Sequence, residues 1–291
     1  MSQRDVYLQA IHDSYPDFSV NSVISNEHGQ NNDILIVNDE FIFRFPKYIS
    51  GIEQLEIEVA ALAGIQGYIT LPIPHITFQN IVMEVGQAFV GYRLIPGEPL
   101  LRETFLEIYG EKTIDGLARQ LAGFLKGLHA VPVQTAINCS LPLSDTYDEW
   151  ADIYGRVREK CFLYMRPDAC KWASNHFETF LHDARNFQYE PVLKHGDFGT
   201  TNILFDRERQ VINGIIDFGG AGLGDPAYDF AGILSGYGEP FLRRFAVVYP
   251  EIEGFWNRIL FYKGIFALLD ALFGIENDDR EVFESGIADY R

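Results

Sequence analysis

The chain has 291 residues, of which 47% are hydrophobic, so it can bury a core large enough for two lobes or one large domain. Its 23 Lys and Arg against 41 Asp and Glu give a net charge of −18. This charge excludes nucleic acid and anionic membranes as expected partners and favours a cationic ligand, although general solubility also explains it.

Cysteine usage and the N-terminus predict a cytoplasmic location. Cys139, Cys161 and Cys170 are odd in number and show no C-x-x-C spacing, which argues against a disulfide framework or a zinc site. The first residues lack the pattern of a secretion signal, and nowhere do eighteen apolar residues run together. We therefore expect neither export nor a membrane span.

The N-terminal third is predicted to be rich in strands. A helix is expected over residues 2–14, with Ser2 and Asp5 as a capping box. Apolar and β-branched runs then predict strands at 20–25, 33–38, 41–45, 81–84 and 89–94, with a helix at 53–63. The polar segment 26–32 joins the first two strands and has a single glycine, so it lacks G-x-G-x-x-G.

The rest of the chain is predicted to be mainly helical. Helices are expected at 104–109, with Thr104 and Glu107 as its capping pattern, and at 114–129, 147–165 and 169–187. His129 is expected to interact with the dipole at a helix C-terminus. A hairpin of 202–205 with 211–216 follows, then a helix starting near Asp225 and Pro226, and terminal helices that include 263–273.

Three polar residues interrupt apolar, strand-like runs in this region: Asp197, Asn202 and Asp217. Burying carboxylates is costly unless a cation or a reacting proton is nearby. Asp197 and Asn202 have the spacing of the kinase catalytic loop, and Asp217 begins Asp-Phe-Gly twenty residues after Asp197. Each motif alone is typical of a turn, but their order and spacing together predict a phosphoryl-transfer site.

This set resembles the aminoglycoside phosphotransferase family. The resemblance is carried by His195-Gly196-Asp197 with Asn202, by Asp217-Phe218-Gly219, and by Gly224-Asp225-Pro226 with Asp229. The stretches 43–47 and 261–264 look most like the aminoglycoside 2''-phosphotransferases. The resemblance implies an α+β, bilobal, protein-kinase-like fold. Residues 1–96 would form an antiparallel-sheet lobe, 92–97 the hinge and 97–291 a helical lobe.

The resemblance also implies roles for individual residues. Asp197 would be the catalytic base, and Asn202 and Asp217 would hold Mg²⁺ against the phosphates of ATP or GTP. Either Arg44 or Lys47 would grip those phosphates, and the sequence does not separate them. The other expected nucleotide-site residues are Glu58 as partner of that cation, with Glu56 second, Ser25 and Asn31 near the phosphates, Tyr92 as gatekeeper, and the backbone of Arg93 and Ile95. Asp229 would brace the catalytic loop.

The expected reaction is transfer of a γ-phosphoryl group to a hydroxyl, with the 2''-hydroxyl favoured, of an aminoglycoside antibiotic, which confers resistance. The expected acceptor-site acids are Asp197, Glu239, Asp270 and Glu276, although Asp270 and Glu276 also fit solvated surface positions. Two alternatives stay open: a kinase for another small alcohol, such as a macrolide, homoserine or choline, and a non-catalytic kinase-like binding module. A monomer is expected.

Overall fold

The computed structural model describes residues 2–26 and 32–291. Most of the polar segment expected near the phosphates, including Asn31, lies outside these residues. Within them, no helix is long and apolar enough to cross a membrane.

The N-terminal region is a five-stranded antiparallel sheet with the strand order β1-β2-β3-β5-β4. Its elements are α1 Gln3–Ser14, β1 Val23–Asn26, β2 Asn32–Val37, β3 Phe41–Pro46, α2 Ile49–Ile65, β4 Ile76–Asn80 and β5 Phe89–Arg93. The prediction of a strand at 81–84 is wrong, because the observed strand, β4, ends at Asn80. Residues 82–88 instead form turns, in which the amides of Gln87 and Ala88 bond to the Glu84 carbonyl.

Helix α1 begins with the predicted capping box. The Asp5 amide donates to Ser2 Oγ at 3.2 Å, and the Ser2 amide donates to Asp5 Oδ2 at 2.9 Å. Such a box satisfies two amides that the first helical turn leaves unpaired. The buried face of α1, with Tyr7 and Ile11, packs on the apolar face of the sheet and forms a small core with the phenylalanines of β3 and β5.

Helix α2 connects the sheet to the larger core of the molecule. It begins at Ile49, four residues before the expected start. Its last turns bury Ala61, Leu62 and Ile65 in the core formed by the C-terminal helices. The division into lobes at about residue 96 stays a prediction, because α2 precedes that boundary and yet contributes to the core that follows it.

The C-terminal region is mainly helical. Its helices are α3 Arg102–Leu106, α4 Glu111–His129, α5 Val133–Asn138, α6 Tyr147–Arg156, α7 Pro167–His182, α8 Ala227–Tyr237, α9 Glu239–Leu242, α10 Trp256–Glu276 and α11 Arg280–Ile287. The predicted cap at Thr104 is wrong, because α3 already begins after Leu101 and has no side-chain cap. The α-helix expected over 147–165 ends at Arg156. The chain then forms a π-helical turn at Val157–Cys161 and a 3₁₀ turn at Phe162–Tyr164.

Two small antiparallel sheets position the candidate site. One pairs β7 Val192–Lys194 with β10 Gly222–Gly224, and the other has the order β6-β8-β9, from Glu98–Pro99, Ile203–Asp206 and Val211–Ile215. The predicted hairpin is therefore confirmed as β8 and β9. Because Asn202 precedes β8 and Asp217 follows β9, the hairpin places both at the same end. The Ile216 amide donates to the Asn202 carbonyl at 3.0 Å.

Candidate active site

The loop after β7 carries His195, Gly196 and Asp197. Gly196 has a φ of +79°, and a Cβ there would lie 1.9 Å from the Gly220 carbonyl oxygen. Both the backbone conformation and the close approach exclude a larger residue. Protein kinases carry arginine at the position of Gly196. In this chain, the left-handed backbone and the close contact with Gly220 require glycine there.

Asp229 of α8 fixes the backbone of this loop. Its Oδ2 accepts the His195 amide at 2.8 Å, and its Oδ1 accepts the Gly196 amide at 2.9 Å. The carboxylate is fully buried, so these amides compensate for part of its lost hydration. The predicted bracing of the catalytic loop by Asp229 is confirmed.

His195 connects the loop to the strand that precedes Asp217. Its Nδ1 accepts the Asp197 amide at 3.2 Å, which leaves Nε2–H to donate to the Ile216 carbonyl at 3.1 Å. The imidazole also packs beside the buried Phe218 ring, with the ring centres 4.5 Å apart. The two motifs that carry Asp197 and Asp217 are thus held together by one buried side chain.

Asn202 orients the Asp197 carboxylate. The Asn202 Nδ2 donates to Asp197 Oδ2 at 2.8 Å and to the Asp197 carbonyl at 2.9 Å. Burial, followed by the nearby charge of Asp217, raises the pKa of Asp197 above the usual range of an aspartate. A carboxylate with a raised pKa in a cleft suits a group that accepts a proton from an alcohol.

Arg44 on β3 joins two acids from distant parts of the chain. Its Nη1 lies 2.7 and 2.8 Å from the two oxygens of Glu58, and its Nη2 lies 2.8 Å from Asp217 Oδ1. Arg44 and Glu58 are buried, whereas about a third of the Asp217 side chain is exposed, at 35%. Burial alone would raise the pKa of Asp217, but the charge and hydrogen bond of Arg44 hold it below its usual range.

The second candidate cation, Lys47, has a different neighbour. Its Nζ lies 3.4 Å from Asp33 Oδ1, and its side chain is partly exposed. Arg44, and not Lys47, therefore holds the position beside Glu58 and Asp217 that a phosphate-gripping cation would take in a kinase. Glu58, the preferred helix acid, is the residue that contacts it.

The residues present fit a magnesium ion. Asn202 turns its nitrogen toward Asp197, so its Oδ1, which no donor among the described residues contacts, is available as a ligand together with the Asp217 carboxylate. No group of three or more His, Cys, Asp or Glu side chains in the described ranges is arranged to hold a metal. Two oxygen ligands suit Mg²⁺, which usually keeps several waters and binds substrate phosphates.

The expected nucleotide residues lie along the sheet and the segment after it. Tyr92 is buried, and burial raises its pKa. The Arg93 guanidinium pairs with Glu40 and is mostly exposed, so only its backbone is a candidate contact. The Ile95 amide has no partner in the described part of the chain. The carbonyl of the next residue, Pro96, accepts a hydrogen bond from Asn213 Nδ2 at 2.6 Å. Ser25 Oγ is buried without a partner among the described residues.

Asp197 lies where two cavities adjoin. A cavity of about 340 Å³ has Asp197, Asp217 and Gly219 in its wall. A second cavity, of about 510 Å³, contains Asp197 and Asp270 together with Arg102 and uncharged polar groups. We call this second space the acceptor cavity. It is lined by Arg102, Gly196, Asp197, Phe198, Gly199, Thr200, Thr201, Tyr228, Gly232, Ser235, Gly236, Phe266, Leu269 and Asp270.

Two of the four expected acceptor acids do not line this cavity. Glu239 accepts a hydrogen bond from Arg243 Nε at 2.7 Å on the exposed surface. Glu276, at the end of α10, lies 2.9 Å from Arg156 and 2.7 Å from Lys160. The structure brings Asp270 to Asp197 and leaves Glu239 and Glu276 in ion pairs elsewhere.

Sequence reasoning missed the contacts of His129. Its ring lies at the end of α4, as expected, but its two nitrogens bond to Asp229 and Tyr249. These partners are 100 and 120 residues away in the chain. No local spacing indicates such a contact. The same holds for Arg102, which enters the acceptor cavity from the start of α3.

Comparisons with known proteins agree with this geometry. A model of the phosphotransferase enzyme family matches residues 22–259. Viomycin phosphotransferase of Streptomyces vinaceus is 30% identical over 200 residues, which cover 68% of this chain and 67% of that protein. An aminoglycoside 3'-phosphotransferase of Escherichia coli is 28% identical over 175 residues. That match covers 58% of this chain and 59% of the relative's length.

A solved structure extends the likeness over nearly the whole chain. The GDP and kanamycin complex of APH(2")-IIia is 28% identical, with a TM-score of 0.88 over 97% of this chain and 96% of that chain. This likeness confirms the expected kinase-like fold. Because the family model spans most of the sequence and includes Asp197, Asn202 and Asp217, the chain belongs to the phosphotransferase enzyme family.

Proposed function

We propose that the protein transfers the γ-phosphoryl group of ATP or GTP to a hydroxyl of an aminoglycoside antibiotic, with the 2''-hydroxyl as the expected position. The main observation that supports the proposal is that Asp197 lines two adjoining cavities. Asp217, which bonds to Arg44, lines the first cavity, Arg102 lines the second, and Asp270 lines both. A nucleotide in the first and an alcohol in the second would meet at Asp197.

The chain's own residues supply positioning and charge. Asp197 orients the acceptor hydroxyl and takes its proton as the new O–P bond forms. Arg44, held between Glu58 and Asp217, would stabilise the charge that moves onto the leaving diphosphate. Asn202 and Asp217 would hold Mg²⁺, which would supply positive charge against the phosphates. The Ile95 amide, which has no partner among the described residues, would contact the base.

The charge of the molecule supports a cationic acceptor. Its net charge is −18, and Asp197 and Asp270 both face the acceptor cavity. Carboxylates bind ammonium groups by charge-assisted hydrogen bonds, which are stronger than neutral ones. The structural relative with 28% identity is a kanamycin complex, which supports the same acceptor class. Modification of such an antibiotic in the cytoplasm would confer resistance.

One observation favours a second candidate acceptor. Arg102 lines the acceptor cavity and has no acidic partner among the described residues. A guanidinium repels ammonium groups but binds carbonyl and carboxylate oxygens. An acceptor that carries such oxygens as well as a cation would suit both ends of the cavity, and viomycin, after which the relative with 30% identity is named, is the candidate to test.

An acceptor panel tests the proposal. Nucleotide turnover would be measured with ATP and with GTP in the presence of kanamycin-type aminoglycosides, viomycin, a macrolide, homoserine or choline. The position of phosphate on any product would be determined by phosphorus NMR. We expect an aminoglycoside to give the highest kcat/KM and a 2''-phosphate.

A preference for viomycin would favour the second candidate, and a preference for a macrolide, homoserine or choline would replace both. A protein with no magnesium-dependent turnover of either nucleotide would be a binding module and not an enzyme.

A further inference from the structure

A set of buried hydrogen bonds runs from the C-terminal end of α4 to the loop that carries Asp197. His129 Nδ1 lies 3.1 Å from the Tyr249 hydroxyl, and its Nε2 lies 3.1 Å from Asp229 Oδ2. His129 and Tyr249 are each only 8% exposed, and Asp229 is not exposed. We call these three residues the Asp229 relay.

Nε2 of His129 donates to the carboxylate whatever the charge of the ring. In the neutral ring, a proton on Nε2 leaves Nδ1 to accept from the Tyr249 hydroxyl, and in the charged ring both nitrogens donate. Burial alone would raise the pKa of Asp229, but the hydrogen bond and charge of His129 hold it below its usual range. His129 is therefore the side-chain hydrogen-bond donor that the buried Asp229 has among the described residues.

The ionised Asp229 in turn fixes the two residues before Asp197. Its oxygens each accept one backbone amide, from His195 and from Gly196. Gly196 has a φ of +79°, a conformation that the chain around it must maintain. If Asp229 lost its side-chain donor, it would rotate or take a proton, and one of these amides would lose its acceptor. The carboxylate of Asp197 follows directly in the chain.

We propose that His129 is a positioning residue for the phosphoryl-transfer step, which acts through Asp229 on the backbone before Asp197. This inference rests on the proposed function in that Asp197 is the catalytic residue. His129 contacts neither cavity at Asp197. Its effect should therefore appear in kcat and not in the binding of nucleotide.

The test compares side chains that differ in reach. His129→Leu removes both hydrogen bonds, and His129→Asn keeps a polar group that is too short for Asp229. His129→Gln places an amide N–H where Nε2 lies. We expect the first two to lower kcat about 10- to 100-fold, the loss typical of a catalytic group displaced by about 1 Å, with the nucleotide KM unchanged within about twofold. His129→Gln should recover most of kcat.

Two control variants isolate the relay. Tyr249→Phe removes only the outer hydrogen bond and should lower kcat by about two- to fivefold. His182→Leu removes another histidine from a helix C-terminus, one whose only partner among the described residues is the Glu178 carbonyl of its own helix. It should leave kcat unchanged. If His182→Leu and His129→Leu had the same effect, the helix dipole and not Asp229 would explain His129.

Amide hydrogen exchange provides a readout that needs no activity. The amides of His195 and Gly196 should exchange at least about tenfold faster in His129→Leu and His129→Asn, while amides in the N-terminal sheet keep their rates. Unchanged protection of both amides, or a full kcat in His129→Asn, would overturn the inference. A different pair of results would separate the two proposals. If Asp197→Ala stayed active while the amides of His195 and Gly196 exchanged faster in His129→Asn, the proposed function would be wrong and the relay would stand.

Discussion

The proposed catalytic centre, formed by Asp197, Asn202, Asp217, Arg44 and Glu58, shares Asp197 with the acceptor cavity, but the two are built differently. In the centre, charged groups are held by partners that the fold fixes: Asn202 holds Asp197, and Arg44 holds Asp217 and Glu58. In the acceptor cavity, Asp270 and Arg102 extend from helices and have no ion-pair partner among the described residues. The charged groups of the centre are therefore preorganised, whereas the cavity has charged groups that an acceptor would be able to pair with.

Replacement of Asp197 should give the largest effect. Asp197→Asn keeps the size of the side chain and can still accept from Asn202, but it cannot take a proton. We expect kcat to fall by about 10²- to 10⁴-fold, with nucleotide affinity kept within about threefold. Initial rates and calorimetric titration of nucleotide would measure the two quantities.

Asp197→Ala provides a matched comparison, because it also removes the contact with Asn202. If Asp197→Asn turned over acceptor at the normal rate, Asp197 would have no part in proton transfer. The groups around Asp197 would then differ from those of the acceptor cavity only in being held by fixed partners, and not in taking part in the reaction.

The next largest effect should come from Arg44. Arg44→Met leaves Glu58 buried without its counter-ion, and loss of one partner of a buried pair costs about 3–5 kcal/mol of unfolding free energy. Urea unfolding would measure this, and the nucleotide KM should rise as well.

Lys47→Met is the control, since Lys47 is partly exposed and its pair with Asp33 is longer, at 3.4 Å. Exposed pairs contribute about 0–1 kcal/mol, so we expect a change in that range. A larger rise in nucleotide KM for Lys47→Met than for Arg44→Met would assign the phosphate-gripping role to Lys47.

The catalytic centre could be predicted because its groups are ordered along the chain. Asp197 and Asn202 flank one short loop, and Asp217 follows the next hairpin, so spacing alone brings them together. Glu58 could be predicted because a helix follows the strand of Arg44 at a fixed distance. The choice between Arg44, in β3, and Lys47, just after it, was open, since it depends on which side chain points toward Glu58.

The acceptor cavity could be predicted only in part, because its residues come from separate helices. Asp270 and Glu276 lie on the same helix, yet only Asp270 faces Asp197, whereas Glu276 pairs with Arg156 and Lys160. Which acid faces the cavity depends on how α10 packs against α6 and α8. That packing follows from long-range contacts that no local pattern in the sequence reports.

Asp270→Asn should weaken acceptor binding by an intermediate amount. Loss of one charge-assisted hydrogen bond to an ammonium group should raise the aminoglycoside KM by about 5- to 20-fold, with kcat changed by less than about threefold. Steady-state kinetics with a charged aminoglycoside and with an uncharged acceptor would measure the difference. An equal loss for both acceptors would show that Asp270 supports the cavity wall and does not bind charge.

The same residue gives a pH dependence. Burial, followed by the charge of Asp197, raises the pKa of Asp270. As the pH falls, Asp270 therefore takes a proton at a higher pH than an exposed aspartate, which ionises with a pKa of about 3.9. The aminoglycoside KM should rise on the acidic side in the wild type. It should stay flatter in Asp270→Asn, where this group cannot titrate.

The smallest effects should come from Glu239→Gln and Glu276→Gln. Glu239 is exposed and pairs with Arg243, and Glu276 is occupied by Arg156 and Lys160, so neither carboxylate needs an acceptor for its charge. We expect the aminoglycoside KM of each variant within about twofold of the wild type and a stability change of about 0–1 kcal/mol. If either raised KM as much as Asp270→Asn, the acceptor would reach beyond the cavity around Asp197. Acids that already have partners would then have to exchange them when the acceptor binds, and the contrast between a preorganised centre and an open acceptor wall would fail.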